Sequence, residues 1–261
     1  MEDSATPPAA TPPSEPTAPA TGPEGPGNPF ARLFGVLVSP GATFESIARR
    51  PDWLVPLIVW ILVSIGATMV LTPRLDYEPM YRSLLERNPQ LTEQEKEEQL
   101  DEMLESATTG RKWGMYAPLL TVPLMFLVMG GIFWGSLRAF GAENTFRESF
   151  AVSIYAFTPQ LIKSIITAAI AATRTEIDPR TVNALLKSNL GAFTSPIEEP
   201  VIFAVLSSVD FFTIWTIILF AIGLSAISGF SKTRLAVMVV VFYLVVVVVK
   251  VGLAVLMGGL S

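Results

Sequence analysis

Three ionisable side chains, Lys163, Asp210 and Lys250, lie deep inside otherwise apolar stretches of this 261-residue chain. The chain has no histidine and no cysteine. Imidazole bases, thiol nucleophiles, disulfides and the usual zinc donors other than carboxylates are therefore excluded. What these three residues can still offer is charge: a carboxylate can neutralise an ammonium, and an ammonium can hold an anion. Near a bilayer centre each costs about 2.5–3.5 kcal/mol, so each needs a partner or a route to water. Lys163 lies nine residues before Ala172, Asp210 nine after Val201 and Lys250 eight before Gly258. At 1.5 Å per helical residue, all three fall about 12–14 Å from one membrane face. The expectation is an intramembrane polar cluster in which Asp210 bridges Lys163. Lys250 is either a third member or free to extend toward the surface. Such a cluster either staples helices together or forms a solute or headgroup site.

Prolines mark the second chemical possibility. Pro118 and Pro123 interrupt one apolar run, and Pro159 interrupts another four residues before Lys163. A broken helix exposes backbone that can coordinate a substrate. It can equally be a kink whose freed carbonyls are satisfied by neighbours such as Tyr155, Thr158, Gln160 and Ser164. Tyr155, Pro159 and Gln160 are the motif to locate. Gly131-x-x-x-Gly135 and the Ala221/Ser225/Gly229 series form small-residue faces suited to close helix packing, within one chain or between copies. Seven carboxylates between Glu93 and Glu105 recur on a helical pattern without a glycine-turned loop, which suits a solvated face better than a calcium site. No Walker loop, dinucleotide fingerprint, nucleophile elbow or zinc motif is present. No catalytic residue, metal or cofactor is expected.

The elements that must hold these residues follow from hydropathy. The chain is 51% hydrophobic and only 16% charged, where soluble domains average about 25% charged. Spanning a hydrocarbon core takes roughly 20 helical residues. Five runs of that size are nearly free of charge, at about 54–72, 115–137, 149–173, 201–229 and 235–258. The valine-rich last run must be a helix too, because a lone strand in lipid leaves its backbone unpaired. The predicted fold is an all-α membrane protein with five transmembrane helices and short amphipathic helices in the first and third inter-helix loops. Residues 1–29 carry nine of the 21 prolines and no Lys or Arg, and are expected to be a disordered tail. This tail lacks the basic and apolar runs of a signal peptide. Residues 30–53 read as an amphipathic interfacial segment whose Arg32, Arg49 and Arg50 contact membrane headgroups, or as a packed elbow before the first span. Residues 54–261 form the membrane domain. Its helical loop at 73–112 contains a Thr92-x-x-Glu95 capping box. A further helix is expected after Asp178-Pro179, presenting Val182, Leu185 and Leu186.

Basic residues cluster in the short N-terminal flank, the 138–148 loop and the 230–234 loop, which favours a cytoplasmic N-terminus and an external C-terminus. The net charge of −5 gives no support to nucleic-acid binding.

Three stretches resemble the bacterial branch of the Yip (Ypt-interacting protein) family of multi-pass membrane proteins. They are Ser39–Ile58 (SPGATFESIARRPDWLVPLI), Phe140–Ile162 (FGAENTFRESFAVSIYAFTPQLI) and Asp210–Arg234, which ends in a Gly-x-Ser-Lys turn. The likeness runs over about residues 30–258. It implies five spans with the N-terminus in the cytoplasm, here a bacterial inner membrane. The Asp-Leu-Tyr-Gly-Pro motif of eukaryotic members is absent, and Ile154-Tyr155 stands where they carry Gly-Tyr. Their Rab/Ypt GTPase binding is therefore not carried over. The resemblance leaves the function of the bacterial branch open; the expected role, read from the whole chain, is non-enzymatic: scaffolding or modulating membrane organisation or trafficking through partner binding. The expected partners are the lipid bilayer and another membrane or peripheral protein; a homo-oligomer is compatible with the sequence, and no nucleic acid is expected. The alternative is a small solute transporter or lipid-handling protein that uses Lys163, Asp210 and Lys250.

Overall fold

Asn28 opens the first helix. Its side-chain oxygen accepts the Phe30 N–H at 2.9 Å, and Pro29 follows at a position where a missing N–H is harmless. The computed structural model describes residues 27–258. Most of the expected disordered tail, residues 1–26, lies outside them, and its last two residues belong to this cap. Helix α1 covers Pro29–Val38 and α2 covers Pro40–Arg49, the two halves of the elbow. The first span, α3 (Leu54–Leu71), follows, and a 3-10 turn at Thr72–Arg74 ends it.

The first loop holds α4 (Glu78–Glu86) and α5 (Glu93–Gly114). The Thr92 backbone N–H and hydroxyl each donate to the Glu95 carboxylate at 2.8 Å. Those bonds hold the Glu95 carboxyl below the usual carboxylate range and fix the start of α5. The second span is α6 (Pro118–Ala139). The third is α7 (Phe146–Ala156) followed by α8 (Thr158–Ala172), with the break at Phe157. The third loop, where an amphipathic helix was expected, contains instead two 3-10 segments, Pro179–Ala184 and Leu190–Phe193. Asp178 caps the first by accepting the Arg180 N–H at 2.8 Å.

The fourth apolar run differs from the continuous span expected at 201–229. It is a short α9 (Pro200–Leu206), a break at residues 207–210, and α10 (Phe211–Ser228). The last span is α11 (Lys232–Gly258). Among the described residues, five helical stretches are long and apolar enough to cross a membrane: α3 with its 3-10 turn, α6, α7 with α8, α10, and α11.

The bundle is held by two adjoining apolar clusters. Leu33, Val36, Phe44 and Ile47 of the elbow pack with Phe133, Leu137, Val152, Tyr155, Phe220 and Leu224. Leu57 and Trp60 of α3 pack with Phe126, Phe150, Ile154 and Leu161. A chain of edge-on rings joins them, with Trp60–Phe126 at 5.5 Å, Phe126–Phe157 at 5.7 Å and Phe157–Phe220 at 5.5 Å. Each such pair contributes about 0.5–1.5 kcal/mol beyond its area.

Close approach falls on glycines other than those singled out in the sequence. A Cβ at Gly223 would meet Val152 Cγ1 at 2.7 Å and Phe44 Cε1 at 2.8 Å, and one at Gly130 would meet Phe150 Cα at 3.0 Å. Gly131 and Gly135 have open space where a Cβ would go, so neither glycine makes a close helix contact among the described residues. Gly229 ends α10 at φ +72°, a left-handed turn that favours glycine. Ser225 donates its hydroxyl to Phe230 O at 2.7 Å and closes the same turn.

Candidate functional site

Asp210 sits at the break in the fourth run, and its extended backbone starts α10. One carboxylate oxygen accepts the Thr213 N–H at 3.1 Å. The other accepts Lys163 Nζ at 3.1 Å and the Ser188 hydroxyl at 2.5 Å. One residue therefore caps a helix, closes an ion pair to α8 and ties down the third loop. Its side chain is only 1% exposed against 28% for Lys163. An N-cap carboxylate also lies at the positive end of the helix dipole, a further stabilising term.

A break inside an apolar run frees backbone groups that lipid cannot satisfy. Here the third loop returns to meet them. Leu190 N donates to Val209 O at 3.1 Å, and Phe211 N donates to Ser188 O at 3.0 Å. From the other side, the Tyr243 hydroxyl donates to Ser208 O. Tyr243 and Lys250 are seven residues apart on α11 and so share a face. That face meets the break.

Lys250 does not reach Asp210. Its Nζ donates to Ser207 Oγ at 2.8 Å and Ser208 Oγ at 3.3 Å. The expected triad is thus a Lys163–Asp210 pair with a second ammonium nearby, because Asp210 is already filled by α8, the loop and its own helix. A polar cavity of about 180 Å³ lies beside them, lined by Lys163, Lys250, Asn189, Ser207, Ser208 and Tyr243 among others. Asn189 is 8% exposed, and its Oδ1 has no hydrogen-bond partner among the described residues.

The span-three motif divides its work. The Thr158 hydroxyl donates to Tyr155 O at 2.6 Å, satisfying a carbonyl next to the Pro159 break. Gln160 instead reaches α10, with Nε2 at 3.4 Å from Thr213 Oγ1 and 3.3 Å from Thr216 Oγ1. Tyr155 is fully buried and turns the other way, its hydroxyl donating to Pro29 O at 3.5 Å. The motif therefore links the elbow on one side to α10 on the other.

Arg32 corrects the expectation of a surface contact: it is 1% exposed. Its guanidinium donates to Arg50 O at 2.8 Å, Ser46 Oγ at 2.9 Å and Asp52 Oδ2 at 3.2 Å. It is the internal clasp of the elbow. Arg49 and Arg50 are exposed, as are Phe30, Phe34 and Val38 on the outer face of α1, at 57%, 74% and 85%.

The two long loops are bound to each other. Asp76 N donates to Ile177 O at 3.0 Å, and Ile177 N to Arg74 O at 2.7 Å. Arg180 grips Asp178 at 2.6 Å and reaches Ser83 Oγ on α4 at 3.0 Å. Burial pushes the Asp178 carboxyl up, but the Arg180 side chain, backbone N–H and charge outweigh it and hold the group below its usual range. Beneath α4, between α9 and α11, runs a groove of about 610 Å³.

Sequence reasoning missed Ser207, Ser208, Asn189 and Tyr243 because it read residues 201–229 as one helix. The signal was present: Ser-Ser-x-Asp before an apolar run is a helix start.

A family model described as the Yip1 domain matches residues 34–254. Membrane protein YknW of Bacillus subtilis (strain 168) is 24% identical over 201 residues, which is 77% of this chain and 80% of that protein. No solved structure gives a significant match.

Proposed function

Starting from the premise that the chain belongs to the Yip1 domain family of membrane proteins, we propose that it is a non-enzymatic scaffold that modulates membrane organisation. The elbow is its membrane-facing contact, the proline-rich residues 1–29 contact a protein partner, and the N-terminus faces the cytoplasm. One observation carries this reading. The inner face of α1 is locked into the bundle by Arg32, Leu33 and Val36, while Phe30, Phe34 and Val38 on its outer face stay exposed. An amphipathic helix held rigidly at one end of five spans inserts apolar area into one leaflet only. The exposed Arg49 and Arg50 suit anionic headgroups beside it.

Reconstitution into vesicles of phosphatidylethanolamine and phosphatidylglycerol tests the proposal, with vesicle diameters read by electron microscopy. The native chain is expected to shift the diameter distribution with protein-to-lipid ratio, and the Phe34→Ser/Val38→Ser variant to leave it at the protein-free value. Equal distributions for native chain and variant would overturn the reading. Lipid handling is a second reading, favoured by the groove at the opposite end of the bundle.

A further inference from the structure

The groove under α4 has two kinds of wall. Leu84, Ile197, Phe203, Val249 and Leu253 supply apolar surface, while Arg87, Arg180, Asn183 and Lys250 supply polar groups. Its volume lies within the roughly 300–1,000 Å³ typical of ligand sites. Leu84, Ile197, Val249 and Leu253 are all 46–58% exposed, so the apolar wall is open, along α11 at Val249 and Leu253 and along the two loops at Leu84 and Ile197. Asn183, Val246 and Lys250 also line the smaller polar cavity, so they form a wall common to both spaces.

The charge around that wall does not balance. Asp210 is the carboxylate beside Lys163 and Lys250, and it is paired with Lys163. Among the described residues no carboxylate lies within ion-pair distance of Lys250, whose acceptors are two serine hydroxyls. Arg180 is neutralised by Asp178, while Arg87 at the outer rim has no ion pair among the described residues. One excess ammonium at the inner wall and one excess guanidinium at the rim call for an anion. The apolar wall calls for a hydrocarbon chain. The unpaired Asn189 Oδ1 in the adjoining cavity can accept one hydroxyl.

We propose that this groove binds an anionic phospholipid of the surrounding bilayer, its headgroup on Lys250 and its acyl chain along α9 and α11. The site stands apart from the elbow at the other end of the bundle, and its test does not depend on the scaffold reading.

The full chain in a neutral detergent is titrated with phosphatidylglycerol or phosphatidylcholine, and bound lipid is counted by native mass spectrometry. The native chain should retain phosphatidylglycerol about tenfold more tightly than phosphatidylcholine. Lys250→Gln keeps a donor toward the serines but removes the charge, and should erase that preference; Lys250→Arg should keep it. Ala254→Trp fills the groove without touching a charge and should weaken both lipids. Equal retention of the two lipids by the native chain overturns the proposal. So does an undiminished preference in Lys250→Gln or undiminished binding in Ala254→Trp. Should Lys250→Gln fail to accumulate, the native comparison and Ala254→Trp decide the matter.

Discussion

At the elbow end, Phe44, Val152 and Gly223 meet with no room for one added methyl group. At the loop end, Lys250 borders two cavities, and the fourth run is interrupted by four non-helical residues. The elbow end buries even an arginine, by surrounding its guanidinium with acceptors. The loop end keeps a lysine half-satisfied by two serines. The bundle is thus closely packed beneath the elbow, where the opening of about 480 Å³ lies outside that core between Pro29, Trp53 and Arg147, and presents accessible walls among its interior polar groups at the other end. The Lys163–Asp210 pair lies where the two meet.

Removing that junction should have the largest effect. Asp210→Ala deletes an ion-pair partner, a helix cap and a loop anchor together. Breaking a buried pair costs about 3–5 kcal/mol, and the low end is expected because Lys163 remains partly exposed. Thermal unfolding in detergent should show it, and loss of the α10 cap should make residues 207–215 exchange amide hydrogens faster.

Next comes the packing beneath the elbow. Gly223→Ala places a methyl against Val152 and Phe44, and overpacking of this kind costs about 1–3 kcal/mol. The elbow should loosen, read as faster proteolysis near Arg49 and Arg50. A neutral result would show that this end is less tightly packed than the loop end, reversing the contrast.

A smaller effect is expected at the loops. Because the Asp178 carboxyl is held below its ordinary value of 3.8 in the folded chain, its clasp on Arg180 is complete above that value and is lost as pH falls through the folded one. Amide protection at residues 74–83 and 177–181, taken relative to intrinsic exchange at each pH, should therefore fall below about pH 4, and Asp178→Asn should remove the dependence. The smallest effect belongs to Gly131→Ala. With open space at that position and helical backbone around it, stability in detergent should rise by about 0.4–1 kcal/mol.

Much of this architecture was legible because hydrophobic length is a strong signal. Five spans, the Thr92–Glu95 box and the kink before Lys163 all follow from local pattern. Depth counting set Lys163 and Asp210 side by side on the premise of one rod over residues 201–229; the pair forms, but with Asp210 at the N-terminal cap of α10 and not nine residues inside a helix. What pattern could not provide was rotation and company. Arg32 has the same composition signature whether it faces headgroups or Ser46, and Gly131 looks like a packing glycine until its neighbours are known. The break at 207–210 escaped notice because Val201 to Leu206 and Phe211 onward are equally apolar. The returning loop at Ser188–Leu190 and the Tyr243 hydroxyl of α11 satisfy the backbone that an interruption there exposes.

The most direct test is whether α8 and the break in the fourth run are energetically coupled through Lys163 and Asp210. A reciprocal charge exchange is a poor instrument, because a lysine at 210 cannot cap α10. Asp210→Asn keeps the cap, so a double-mutant cycle of Lys163→Met and Asp210→Asn, followed by thermal unfolding in one detergent, isolates the charge interaction. The structure predicts a coupling of about 1 kcal/mol or more; single effects that add to within about 0.3–0.5 kcal/mol would contradict it.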